Sequence, residues 1–150
     1  MLKYCYKKWY ENESILEERL RTCGRLSVCE YMDLLKMTVE CILNRNDQGE
    51  DEQGMKWDSE GITQIDNGDY QGTLLFLIPE DTYQPYEGAY LMTYVGYGSC
   101  SGCDTLQAIR PWDESEVDDE TVKEFMDLCR HLVTNMIKPY NYGWRHDADF

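Results

Sequence analysis

Positive charge is what this chain is short of. It has 14 lysines and arginines against 29 aspartates and glutamates, a net charge of −15 over 150 residues. That balance speaks against binding DNA, RNA or an anionic membrane, because phosphate would be repelled. It favours a partner with a basic surface, although acidity of this degree also serves simply to keep a protein soluble. Long apolar runs are missing too. The best stretch, Thr73 to Pro79, has the length of a strand, whereas a membrane helix needs about 20 residues. Residues Met1 to Tyr10 carry three lysines with no apolar stretch behind them, so they do not read as a secretion signal, and a cytoplasmic protein is expected.

Catalytic signatures are absent as well. The sequence has no G-x-S-x-G, phosphate-binding loop, dinucleotide fingerprint, H-E-x-x-H or zinc-deaminase pattern. Its many carboxylates lie mostly in polar segments, without the apolar wall that would raise a pKa for acid–base work. A binding role is therefore expected ahead of an enzymatic one.

What is present fits one folded domain spanning residues 1–150. Apolar residues make up 42% of the chain, an ordinary globular share. Residues 14–22 read as a helix, with Ser14 and Glu17 as a capping box and Gly24 as its stop. Ser27 and Glu30 repeat the pattern before a longer helix to about Asn44, with Val28, Tyr31, Met32, Leu35, Val39 and Ile42 on its apolar face. Residues 46–61 read as a polar loop. Residues 62–65 and 70–78 flank Asn67-Gly68, a hairpin signal. Ala89 to Tyr97 reads as a third strand.

A tight small-residue turn, a short helical stretch over 105–110 and an acidic loop follow. Asp118 or Asp119 can cap a last helix over 120–138, with Val122, Phe125, Met126, Cys129, Leu132, Val133 and Met136 facing the core. The order predicts an α+β fold: about three antiparallel strands, two N-terminal helices and one long C-terminal helix.

The sharpest local signal is Cys100-Ser-Gly-Cys103, a knuckle-like turn after the third strand. Two thiols at that spacing can face one tetrahedral zinc ion. They can equally form a redox pair, although the helix start that would poise one is missing, or be small residues packed in a turn. Two further ligands are needed, and only two histidines exist. The candidates are His131 and Asp104, with Asp104 able instead to cap the following turn. Cys129 falls on the apolar face, Cys23, Cys29 and Cys41 read as packing residues, and Cys5 could join from the N-terminus. Seven cysteines are an odd number, which suits free thiols or metal ligands better than a disulfide framework.

Two acidic runs stand out. The first covers 47–60. The second places Asp113, Glu114, Glu116, Asp118, Asp119 and Glu120 within eight residues with no base among them. Each run alone reads as a solvated loop. Together, with Trp57 and Trp112 beside them, they also suggest a partner-binding surface, since carboxylates steer a basic partner and tryptophan anchors interfaces. Neutralising the second run to amides or serine is expected to slow association, while stability changes little or even rises as self-repulsion falls.

The stretch Tyr94-Val-Gly-Tyr-Gly-Ser-Cys-Ser-Gly-Cys-Asp-Thr-Leu-Gln-Ala-Ile109 and the helix Phe125 to Val133 resemble segments of small proteins from bacteriophages and other mobile elements. Size, acidity and the cysteine pair resemble anti-CRISPR proteins that block the type II RNA-guided nuclease. The resemblance touches Cys100, Cys103, Asp104 and, more weakly, His131. It implies an inhibitor acting in a bacterial host's cytoplasm, a structural zinc site and a CRISPR effector nuclease as partner. A zinc- or thiol-dependent enzyme centred on Cys100 and Cys103, or a virion or assembly component, are the other readings of the same residues.

Overall fold

The structure is a computed structural model that describes residues 2–44, 56–69, 71–82, 89–99, 102 and 104–138. Its first helix, α1, runs over Leu2–Thr22, twelve residues earlier than the cap at Ser14 suggests. Cys5, Trp9, Asn12, Leu16 and Leu20 form its buried stripe, with helical spacing of three and four. The polar Asn12 interrupts the apolar period in sequence. In the fold its Nδ2 donates to the carbonyl of Ile42 at 3.0 Å, so the buried amide has a partner. Gly24 ends α1 with φ +68°, the left-handed stop expected of it.

Helix α2 covers Tyr31–Thr38 and continues as a π-helical turn, Val39–Leu43. Its capping box is Glu30 with Asp33 rather than Ser27 with Glu30. The Glu30 N–H donates to Asp33 Oδ2 at 2.8 Å. Val28 lies ahead of the helix and is 58% exposed, so it does not belong to the apolar face. The π-turn leads into Asn44. This side chain donates to the carbonyl of Trp57 and accepts from the Trp57 N–H, each at 2.7 Å.

Three strands, β1 (Thr63–Asp66), β2 (Gly72–Pro79) and β3 (Tyr90–Tyr97), form an antiparallel sheet in that order. Opposed pairs Leu74–Val95, Phe76–Thr93 and Ile78–Leu91 are buried on one face. The strand period of two selects that face. Helix α3 is short, Thr105–Ile109, and α4 spans Asp119–Thr134. The expected apolar face of α4 is present, with Leu128 added and Met126 only half-buried.

One hydrophobic cluster joins residues from every element except the exposed β1. Each fully buried Leu or Phe in it contributes roughly 1.5–3 kcal/mol. The Thr93 hydroxyl donates to the Leu132 carbonyl at 2.6 Å, and Ile137 exchanges both backbone bonds with Met92. These contacts fix α4 against β3. No helix among the described residues is long and apolar enough to cross a membrane.

Candidate binding groove

Where β3, α3 and α4 meet, they enclose an open groove of about 590 Å³. Val95 and Leu128, each 5% exposed, form its floor with Ile109 beside them. Tyr97 and Gly96 close the β3 side, and Thr105 stands at the start of α3. The α4 wall is polar: Glu124, Asp127 and His131. With Glu120 they follow a 4–3–4 spacing, which places all four on one stripe of the helix. Among the described residues, the side chains of Glu120, Glu124 and Asp127 have no hydrogen-bond or ion-pair partner. His131 Nε2 lies 3.0 Å from Asn135 Nδ2. The groove thus combines an apolar floor with an uncompensated acidic wall.

The acidic run just before α4 is different. Asp113 accepts from the Ser115 N–H at 2.9 Å and caps the single turn Glu114–Glu116. Both Glu114 oxygens accept backbone N–H groups, Leu26 and Ser27, each at 2.7 Å. Glu116 accepts from the Trp112 N–H at 3.0 Å. Asp118 is the N-cap of α4, accepting from Thr121 at 2.9 Å. Asp119 pairs with Arg21 at 2.6 Å.

These bonds depress the carboxyl pKa values of Asp113, through the Ser115 hydroxyl first, and of Asp118, through the Thr121 N–H first. At Glu114, burial pushes the value up, but the bonds from Ser27 and Leu26 outweigh it and the net shift is downward. Five of the six carboxylates expected to face a partner are therefore engaged within the fold. Only Glu120 extends from this run into the open stripe.

Asp104 takes the capping role, one of the two expected of it. It is 6% exposed and accepts from Tyr31 Oη at 2.8 Å, Gly98 N at 3.0 Å and Gln107 N at 3.1 Å. Burial raises its pKa, but these donors together lower it overall. Its side chain caps α3 and ties Gly98 to the start of that helix. Cys100 and Cys103 lie outside the described residues. His131 shares the groove with Thr105, which directly follows that segment. Among the described residues, no three His, Cys, Asp or Glu side chains converge as a metal site. Burial pushes the thiols of Cys5, Cys29 and Cys129 up to about 12, which makes them inert packing groups.

Of the two tryptophans expected at an interface, Trp57 is 1% exposed. Its indole N–H donates to Tyr4 Oη at 3.3 Å. Asn44 draws its backbone into the core, so it is a core residue and cannot anchor a partner. Trp112 is 89% exposed beside the acidic turn. The groove itself, with Glu124 and Asp127, was not singled out in sequence. The only available signal was the acidic flank that adjoins Leu128 on the last helix. Comparison with protein-family models, curated proteins and solved structures gives no match.

Proposed function

We propose that the chain is an acidic binding protein that occupies a basic surface of a nucleic-acid-guided nuclease in a bacterial host's cytoplasm and thereby inhibits it. The carrying observation is the stripe of Glu120, Glu124 and Asp127, unpaired beside an apolar groove on a chain of charge −15. Carboxylates left without internal cations are free to meet a partner's cations. Such charge complementarity speeds encounter and fixes orientation. The apolar floor and the exposed Trp112 supply area that can be desolvated on contact. The choice of a nuclease rests on the resemblance of size, acidity and the cysteine pair to anti-CRISPR proteins and on the positively charged channel such enzymes use to hold nucleic acid. Pull-down against a purified type II effector over a salt series tests it. Complex at low salt that fades as salt rises is expected, and no complex at low salt overturns the proposal.

The same reading includes a structural zinc ion held by Cys100 and Cys103, with His131 as a third ligand. The C-x-x-C spacing supports it, as does the place of His131 on the groove beside Thr105. The capping bonds of Asp104 favour its role as a cap, so this reading gives the fourth place to another cysteine. Bound zinc would tie the end of β3 to α4.

A further inference from the structure

β3 is an edge strand, with β2 on one side only. Ala89 bonds inward, its carbonyl accepting from Glu80. Met92 bonds outward, exchanging both groups with Ile137. In an antiparallel ladder the direction alternates, so Tyr94 and Gly96 also present their N–H and C=O groups outward. The described residues give those four groups no partner. Gly98, the next outward position, is already satisfied: its N–H donates to Asp104 and its carbonyl accepts from Gln107. The open edge therefore has a defined length, and Gly96 lies on the groove wall opposite Glu124 and Asp127. A Cβ built at Gly96 would approach no atom closer than 3.9 Å, so the backbone there is uncrowded on its side-chain face.

We propose that the groove seats an extended, lysine- or arginine-bearing segment of a partner protein, added to β3 as a short fourth strand at Tyr94 and Gly96. This rests on the acidic-binder reading above and names the form of the ligand. Backbone pairing supplies a register. Alternate side chains of the segment then fall on opposite sides: basic ones toward α4, where Glu124 and Asp127 stand, and the others toward the exposed face of Tyr94. Exposed sheet edges recruit strands in this way unless they are covered or charged. Here the charge stands on the neighbouring helix, where it selects for a basic strand.

The probe is a heptapeptide of alternating lysine and valine, with two modified forms, one N-methylated at every valine and one at every lysine. Titration calorimetry with the full chain at low salt reads binding. Because only alternate N–H groups of an added strand face the edge, one methylated form is expected to bind about tenfold more weakly, while the other stays close to the parent peptide. A Glu124→Lys/Asp127→Lys variant is expected to lose a similar factor and much of the salt dependence. Gly96→Pro removes one outward N–H without breaking an internal bond, and it should weaken the peptide while melting near the wild-type temperature.

If both methylated peptides bind like the parent while the charge variant still weakens it, strand addition is overturned and the acidic-binder reading survives. Equal loss with both forms also overturns strand addition, since a single edge distinguishes them. No binding of the parent peptide at low salt overturns it as well, and the nuclease pull-down then judges the broader reading separately.

Discussion

At Asp104, three donors converge on one buried carboxylate. Replacing it with alanine removes the α3 cap and leaves the Tyr31 hydroxyl and the Gly98 N–H without their acceptor. Buried donors left this way cost about 1–3 kcal/mol, so Asp104→Ala is expected to lower the melting temperature by several degrees, as thermal unfolding would show. Asp104→Asn should lose less, since the amide oxygen can still accept. The acid side follows from the same bonds. Asp104 and Glu114 both have folded pKa values below their ordinary 3.8 and 4.5. Their contribution is therefore fully present above those values and is lost as pH falls through the depressed folded ones. Denaturant unfolding between pH 6 and about 3 should show stability falling below roughly pH 4.5, with a shallower fall in Asp104→Asn.

The elements show which parts of the fold could be read in advance. The last helix and the strand pairs were legible because their apolar residues recur at regular periods. Helix α1 was not, because Asn12 and the surrounding tyrosines and lysines blur its period until Asn12 meets Ile42. Capping residues were misassigned at α2 for a local reason: Ser27 and Glu30 have the right spacing, but the Ser27 N–H goes to Glu114, far along the chain. That distant bond also decides the acidic run. In sequence its six carboxylates look like a solvated patch whose neutralisation leaves stability unchanged. In the fold five of the six are held by internal bonds, Asp113 and Asp118 as caps. Changing Asp113, Glu114, Glu116 and Asp118 to alanine, which cannot accept their N–H groups, is thus expected to lower the melting temperature measurably, whereas asparagine or serine at Asp113 and Asp118 keeps the caps and should cost little. Charge reversal of Glu120, Glu124 and Asp127 should leave the melting temperature unchanged or raised, because self-repulsion falls. The open edge of β3 was invisible in sequence, since which strand ends a sheet is a matter of topology.

Over the whole molecule, the zinc proposal and the charge proposal are separable. Bound metal contributes to folding free energy, so chelation is expected to lower the melting temperature by several degrees, and Cys100→Ser should reproduce that loss. Cys23→Ser should not. Elemental analysis finding under about a tenth of an equivalent of zinc, together with melting indifferent to chelator, would return both cysteines to packing. The charge proposal is tested most directly by the rate at which the protein associates with a purified type II effector nuclease, followed by stopped flow at several salt concentrations. The account expects association that slows steeply with salt. It also expects the Glu120→Lys/Glu124→Lys/Asp127→Lys variant to associate about tenfold more slowly at low salt with its fold intact. Association that is equally fast in the variant, or absent at low salt in the native chain, would contradict it.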